Sequence, residues 1–352
     1  MAQIISGIQQ IGIGIPNMQE AWKWYRLAFG MDIRMFEESA DAPLMTLYTG
    51  GKVHSRTAAL AVNMMGGGGF EIWQYTSRTP ELPKFEIQLG DLGIFVAKIK
   101  VPNVDIIYDH LSSNGVEILN KPKKSPDGNE HFFVVDPYQN IFELIQGDNW
   151  FSKGNGICGG IGGCIIGVSD IENARKLYSD ILGYDKVVYD EKGSFEDLSN
   201  LPGGGNKFRR ILLNRSQPVQ GSFSRILGPG VMELVQVLDR EPRKIFENRL
   251  WGDRGFIHLC FDIYGMDDIE KECAEAGFPF TVDSSNSFDM GEASGRFSYI
   301  EDPDGTLIEF VETHKIPIIK KIGWYLSLQN KDPKKPLPNW ILKMLSFNRV
   351  KD

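Results

Sequence analysis

The sequence lacks the features that mark membrane, disulfide-rich or nucleotide-binding proteins. Its 352 residues contain only four cysteines and five histidines, and the formal net charge is -8 at pH 7. No apolar run approaches the roughly 18 residues that a membrane span requires, and no basic region precedes the first apolar residues. There is no C-x-x-C pair and no G-K-[ST] phosphate loop. We therefore expect a soluble, cytoplasmic protein with reduced thiols, no membrane span and no nucleic-acid partner.

What is present is an internal repeat. The stretch DPYQNIFEL at residues 136–144 recurs as DPDGTLIEF at residues 302–310. Each copy has Asp-Pro, a turn, and then a strand in which one glutamate, Glu143 or Glu309, stands among apolar residues. A carboxylate on a mostly buried strand needs a partner, such as a cation or a metal ion. The repeat divides the chain into two halves and marks both glutamates as candidates for a site.

Each half divides again into two similar modules. A short alternating strand, a turn with Asn or Asp and an amphipathic helix recur at residues 11–25, 97–111, 165–178 and 260–273. Strand-like stretches follow each helix, so each module is predicted to be βαβββ. Half-buried sheets must pair, and we predict an α+β fold in which four βαβββ modules form two curved-sheet cups. The predicted domains are residues 1–150, residues 151–312 and a basic C-terminal tail at 313–352.

The modules and the repeated DP-x-x-N/G-x-x-E-L/F strand resemble the vicinal oxygen chelate superfamily. This superfamily includes glyoxalase I, bleomycin resistance proteins and extradiol dioxygenases, and the resemblance is more specific for the fold than for the reaction. It implies two ligand positions in each module, one on the first strand and one at the lone glutamate of the last strand. In chain order, these positions hold Gln10 and Glu71, Val96 and Glu143, Gly163 and Glu233, and His258 and Glu309.

The pairing of the modules decides whether any ligand set is complete. If neighbouring modules pair, each half has an incomplete set, and the first half has no histidine. If module one pairs with four and module two with three, as in tandem glyoxalase I proteins, the losses fall in one cup. The first cup then holds Gln10, Glu71, His258 and Glu309, and the second holds Val96, Glu143, Gly163 and Glu233. We predict the crossed pairing, because valine and glycine cannot ligate a metal and one set stays whole.

The complete set implies a metal-dependent enzyme. Two carboxylates, an amide oxygen and an imidazole suit one divalent ion, which could be Zn, Ni, Mn or Fe. In glyoxalase-like members, such an ion chelates vicinal oxygens of a small organic substrate and stabilises an enediolate, while a ligand carboxylate acts as the base. The resemblance therefore implies an isomerase, epimerase or lyase of glyoxalase I type, with Glu309 as the catalytic base and Glu71 facing it across the metal.

Two other functions stay open. An extradiol ring-cleaving dioxygenase also has four modules, but it uses two histidines and one carboxylate on iron(II), and His258 is the one histidine at the first-strand positions here. A metal-free small-molecule binding or resistance protein is the third possibility, because the second cup is already incomplete. The sequence indicates neither the substrate nor the use of glutathione. A monomer or homodimer is expected.

Several other residues receive structural interpretations. We expect Glu143 to face a vestigial cavity and His131 to have an ordinary structural role. Lys98 and Lys100 alternate with apolar residues on one strand, for which exposure at a sheet edge is preferred over anion binding.

The C-terminal tail is basic, with eight lysines and one arginine against two aspartates, and residues 339–350 have an amphipathic helical pattern. A basic strap folded over the acidic body is preferred over attachment to an anionic membrane surface.

Overall fold

A computed structural model of the chain describes residues 3–153, 156–285, 288–289, 294–319, 323–329 and 331–351. The helices are α1 (Met18–Phe29), α2 (Val104–Ser113), α3 (Ile171–Tyr178), α4 (Ser224–Leu227), α5 (Met266–Glu275) and α6 (Asn339–Met344). The strands are β1 (Ile4–Gly14), β2 (Ile33–Asp41), β3 (Ser55–Val62), β4 (Gly69–Tyr75), β5 (Gly93–Val101), β6 (Glu117–Ile118), β7 (Lys123–Lys124), β8 (Glu130–Val135), β9 (Ile141–Gln146), β10 (Ile161–Gly167), β11 (Lys186–Gly193), β12 (Phe208–Asn214), β13 (Val231–Val237), β14 (Gly255–Tyr264), β15 (Val282–Asp283), β16 (Phe288–Asp289), β17 (Ser294–Glu301), β18 (Leu307–Ile319) and β19 (Trp324–Ser327). None of the described helices is long and apolar enough to cross a membrane.

The strands form two curved sheets, and each sheet contains modules from both halves of the chain. The first sheet has the order β15-β17-β18-β14-β1-β4-β3-β2, with β16 paired to β17 and β19 to β18. The second has the order β11-β12-β13-β10-β5-β9-β8-β6, with β7 paired to β8. We call these sheets the first cup and the second cup. Module one pairs with module four and module two with module three, so the α+β fold and the crossed pairing are confirmed.

The central strands of the first cup place residues from both halves side by side. β1 and β14 are antiparallel, with Gly12 opposite His258. β4 runs parallel to β1 with Glu71 beside Gly12, and β18 runs parallel to β14 with Glu309 beside Cys260. Because of this register, the predicted ligand positions on the first and last strands of modules one and four lie on neighbouring strands of one sheet.

The Asp-Pro turns of the repeat connect neighbouring modules. Asp136 accepts hydrogen bonds from two backbone N–H groups of its own turn, both at 2.8 Å, and from the Tyr25 hydroxyl of α1 at 2.6 Å. Asp302 accepts equivalent bonds from its own turn and from the Tyr178 hydroxyl of α3 at 2.9 Å. An aspartate bonded to its own turn fixes the chain direction at the start of the following strand. The aspartates of the repeat therefore position the strands that carry its glutamates.

Helix α1 packs against both sheets. Asn17 caps its first turn by accepting a bond from the Glu20 N–H at 3.3 Å. The Tyr25 ring lies 4.9 Å from that of Phe70 in the first cup. The Phe29 ring lies 5.0 Å from that of Phe142 in the second cup. The apolar face of this one helix is thus buried against strands of both cups.

Two segments differ from the pattern of the sequence. Residues 42–50 have a strand-like composition, yet a 3-10 helix forms at Pro43–Tyr48, where the proline occupies the first turn. The amphipathic helix predicted at residues 339–350 is shorter, because α6 ends at Met344 and a 3-10 turn follows at Leu345–Asn348.

The C-terminal tail folds back on the first cup. Ile341 and Leu345 are buried, whereas Trp340 is exposed. Arg349 forms an ion pair with Asp32, next to β2, and the Val350 N–H donates to the Asp32 carbonyl at 2.8 Å. The end of the tail therefore packs beside the edge strand of module one, whereas its beginning, residues 313–319, continues β18, and β19 pairs with that strand.

Candidate metal centre

The first cup brings together the four residues predicted to ligate a metal. They lie on four neighbouring strands, with Gln10 on β1, Glu71 on β4, His258 on β14 and Glu309 on β18. His258 is fully buried, and Gln10 and Glu309 are buried as well. Residues of both halves are required, because two come from module one and two from module four.

The donor atoms of these residues converge around the His258 ring. His258 Nε2 lies 3.1 Å from Glu71 Oε2 and 3.2 Å from Glu309 Oε2. Gln10 Nε2 lies 3.5 Å from each of the same two oxygens. Glu71, His258 and Glu309 each offer one ligand atom within 4.8 Å of the others, a spacing that could hold a metal ion.

Two residues that the sequence did not single out orient His258. The ring lies against Gly12, where an added Cβ would be 2.4 Å from His258 Cε1. The Tyr299 hydroxyl lies 3.5 Å from His258 Nδ1. A partner for the second ring nitrogen holds an imidazole in one orientation, so that Nε2 faces the carboxylates. The signal for Gly12 was its place in the strand IGIG, where a core strand would normally carry a side chain.

The centre carries excess negative charge. Burial opposes the charged form of His258, but Glu309 and Glu71 raise the pKa of its imidazole to about 10. Burial would also raise the pKa of Glu71, yet His258 and Arg56 lower it below its ordinary value. The imidazolium thus balances only one of the two carboxylates, and a neutral imidazole would balance neither.

The donor set fits a divalent cation. Gln10 Oε1 is buried and has no hydrogen-bond partner among the described residues. The nitrogen and oxygen of an amide exchange places by a half-turn of the group. With the amide turned, Gln10 would direct its oxygen toward the carboxylates of Glu71 and Glu309. Two carboxylates, an amide oxygen and a neutral imidazole are ligands that borderline or hard divalent ions accept.

An apolar cavity of about 110 Å³ is lined by neighbours of the centre in the first sheet, although none of the four residues of the centre lines it. Leu60 in its wall is the residue paired with Glu71 across β3 and β4. Val311, which also lines the cavity, follows Glu309 of β18 by two positions. Leu227 of α4 and Leu345 of the C-terminal tail are further lining residues. The tail is therefore part of the wall beside the candidate centre.

The second cup holds an ammonium group between its two glutamates. Lys98 of β5 forms ion pairs with Glu143 and with Glu233, the latter at 2.7 Å. Its exposed fraction is 3%, so the expectation that Lys98 lies exposed at a sheet edge was wrong, and the same holds for the buried Lys100. Glu143 does line a cavity, as expected, but its partner is a cation supplied by the protein. Val96 and Gly163, the other predicted positions of this cup, offer no ligand atoms.

Two more cations and one more carboxylate surround Lys98. Arg210 lies 2.8 Å from Glu233 and 2.7 Å from Asp197. His131 Nδ1 lies 2.7 Å from Glu143, and its Nε2 lies 3.4 Å from Asp197. Burial opposes the charge on His131, but Glu143 and Asp197 raise its pKa to about 9. We call this group the ionic cluster, and its members are Lys98, Arg210, His131, Glu143, Glu233 and Asp197.

The ionic cluster is neutral as a whole at pH 7. Its three cations face three carboxylates, and burial of such a group is tolerated when the charges are paired and hydrogen-bonded. The Tyr189 hydroxyl adds a bond to Glu233 at 2.9 Å. A buried arginine or backbone donors were possible partners of Glu143 and Glu233 from the sequence, but the sequence singled out neither Arg210 nor Lys98 for this role.

The structure is of a class in which paired βαβββ modules form a cup around a candidate metal centre. The comparisons with known proteins agree with this class. The family model of the Glyoxalase/Bleomycin resistance protein/Dioxygenase superfamily matches residues 7–144 and 160–310. The chain therefore belongs to this superfamily, as its modules predicted. None of the curated protein sequences matches the chain significantly.

Solved structures share the fold at low sequence identity. Glyoxalase I from Zea mays is 15% identical, with 88% of this chain and 92% of that chain covered and a TM-score of 0.54. A putative dioxygenase from Bacillus subtilis subsp. subtilis str. 168 is 14% identical, with 88% and 86% covered and a TM-score of 0.56. These two names point to different reactions on one fold, so the likeness speaks for the fold alone.

Proposed function

We propose that the protein is a metal-dependent enzyme of glyoxalase type, an isomerase, epimerase or lyase that acts on a small organic substrate with two vicinal oxygens. The observation that carries this proposal is the convergence of Gln10, Glu71, His258 and Glu309 in a buried centre with excess negative charge. The ionic cluster of the second cup has no such excess. We therefore expect one divalent ion per chain, which could be Zn, Ni, Mn or Fe.

The four residues of the first cup would hold the ion, and two of them, Glu309 and Glu71, would also transfer protons. When bound, the ion would act as a Lewis acid on the substrate oxygens and make the neighbouring C–H group more acidic. Glu309 is the candidate base for that proton, because it is buried and its carboxylate is at the centre. Glu71, whose Oε2 lies 3.1 Å from His258 Nε2, would receive or return a proton on the opposite face of the substrate.

The cavity beside the centre suggests what the rest of the substrate looks like. Its lining is almost entirely apolar, with side chains such as Phe36, Leu60 and Val311. A pocket of about 110 Å³ suits a small apolar group, whose transfer from water contributes favourably to binding. We infer that the substrate carries its vicinal oxygens at one end and a compact apolar group at the other.

Metal content in matched variants tests the proposal. Loss of one ligand typically weakens a metal site strongly. Glu71→Gln in the first cup and Glu143→Gln in the second are the same isosteric change at corresponding glutamates. We expect the wild type and Glu143→Gln to retain about one ion per chain, while Glu71→Gln and His258→Gln lose it together with turnover.

Two results of the metal analysis would contradict this assignment. Loss of the ion in Glu143→Gln with retention in Glu71→Gln would place the site in the second cup. Absence of any ion after reconstitution with zinc, nickel, manganese and iron(II) would favour a metal-free binding or resistance protein.

An extradiol dioxygenase is a second candidate, because a putative dioxygenase shares the fold. Such enzymes use two histidines, whereas the group of possible ligands found among the described residues contains His258 alone. An oxygen electrode separates the two reactions, since an isomerase or epimerase consumes no oxygen. Stoichiometric oxygen uptake by the iron-loaded protein with a catechol, and a yellow ring-fission product, would make the dioxygenase the correct assignment.

A further inference from the structure

Lys100 of β5 is buried, although lysine normally keeps its ammonium group in water. Its exposed fraction is 8%. Two glycines leave space for its aliphatic stem: a Cβ on Gly162 would lie 2.6 Å from Lys100 Cγ, and one on Gly147 would lie 3.2 Å from Lys100 Cβ. The glycines therefore let the lysine enter the second cup, where it lines a cavity of about 280 Å³.

The Lys100 ammonium uses only part of its hydrogen-bonding capacity. An ammonium group has three donors. Lys100 Nζ donates to the Asn149 carbonyl at 2.9 Å and lies 5.3 Å from the Trp150 ring centroid. Among the described residues, no carboxylate forms an ion pair with it, whereas Lys98, two positions away, has two such partners.

Among the described residues that line this cavity, Lys100 is the one cation outside the ionic cluster. The six members of the ionic cluster neutralise one another, so Lys98 has no charge to offer a ligand. Burial lowers the pKa of Lys100 to about 8, and the exposed Asp148 offsets this effect in part. Lys100 therefore remains cationic at neutral pH, although a buried cation with unused donors is costly without a partner.

We propose that the second cup is a second small-molecule site, which takes an organic monoanion with a carboxylate group bound to the Lys100 ammonium. A carboxylate matches one positive charge and can accept hydrogen bonds from both unused N–H donors. Among the described residues that line the cavity, no second unpaired cation would balance a phosphate dianion. The cavity is also lined by Asn129, Asn214 and Tyr189, whose polar groups suit the remainder of such a ligand. The carboxylates of Asp127, Glu130 and Asp148 line it as well and disfavour a ligand with more than one negative charge. This site needs no metal and is independent of the function proposed for the first cup.

Titration calorimetry of the 352-residue chain with acetate, lactate and benzoate tests this site. Benzamide is the matched control, because it has the shape of benzoate without the charge. We expect saturable binding of at least one carboxylate, no binding of benzamide, and an affinity at least about tenfold lower in Lys100→Met, which keeps the length of the stem but loses the ammonium. The Glu71→Gln variant, which removes a first-cup ligand, should bind the carboxylate as the wild type does.

A second measurement needs no variant of Lys100. Reductive methylation with formaldehyde and cyanoborohydride, followed by peptide mass spectrometry, reports the accessibility of each lysine amine. The carboxylate that binds should slow methylation of Lys100 in the wild type, and benzamide should not. The proposal is overturned if none of the three carboxylates binds, if Lys100→Met binds as well as the wild type, if Glu71→Gln abolishes binding, or if the methylation rate of Lys100 is unchanged.

Discussion

Replacing Lys98 with methionine should destabilise the protein strongly at neutral pH. The substitution keeps the length of the side chain but removes the ammonium between Glu143 and Glu233, whose exposed fractions are 2% and 1%. Removing one partner of a buried ion pair typically costs about 3–5 kcal/mol. Each glutamate keeps one other cation, His131 or Arg210, so we expect a value near the lower limit, about 3 kcal/mol. Thermal denaturation should show a fall in Tm of about 4 °C.

An exposed lysine provides the matched control for this prediction. Lys271 pairs with Glu275 at 3.8 Å on the surface of α5, and Lys271→Met should cost well under about 1 kcal/mol. If Lys98→Met and Lys271→Met have the same Tm, Lys98 does not hold the second cup together and the reasoning fails.

Three further predictions concern individual residues of the two cups. Gly12→Ala should reduce metal content as strongly as His258→Gln does while the far-UV circular dichroism is unchanged, because the new Cβ would lie 2.4 Å from His258 Cε1. Metal binding at pH 7 should release about one proton, measured by calorimetry in buffers of different ionisation enthalpy, because the pKa of His258 without metal is about 10 and only neutral imidazole ligates. The pKa of His131 in the folded protein is about 9, so this residue should contribute stability that is complete below about pH 6.5 and is lost as the pH rises through 9. The total loss in the free energy of unfolding should be up to about 3 kcal/mol, and His131→Gln should lack this pH dependence.

The fold and the gathering of the four first-cup residues were predictable because both depend on local, repeated patterns. Each module repeats a strand, a capped helix and further strands, and its lone glutamate occupies the same place on the last strand. The crossed pairing followed from the distribution of the unsuitable residues, Val96 and Gly163, which fall in one cup only under that pairing. Sheet order then confirmed an arrangement that no local signal specifies.

The contents of the second cup were not predictable in the same way. Lys98 and Lys100 alternate with apolar residues, and alternation normally indicates a strand with one exposed face. Their burial depends on residues far along the chain: Glu233 lies 135 positions from Lys98, and Gly162 gives the Lys100 stem its space. A periodic pattern identifies the face of a strand on which a side chain lies, whereas tertiary contacts decide whether that face is open to water.

Hydrogen exchange would show whether the metal binds across both halves of the chain. β1 and β4 come from the first half, and β14 and β18 from the second, yet they are adjacent in one sheet. A ligand that binds only the native state at about 100 times its Kd stabilises that state by about 2.7 kcal/mol. Adding metal to the metal-free protein should therefore slow exchange in these four strands together, with β5, β9, β10 and β13 of the second cup affected much less. Protection confined to β14 and β18, with β1 and β4 unchanged, would mean that the ion is held by His258 and Glu309 without Gln10 and Glu71. The first cup would then be incomplete despite its geometry, and the four-residue centre would have to be abandoned.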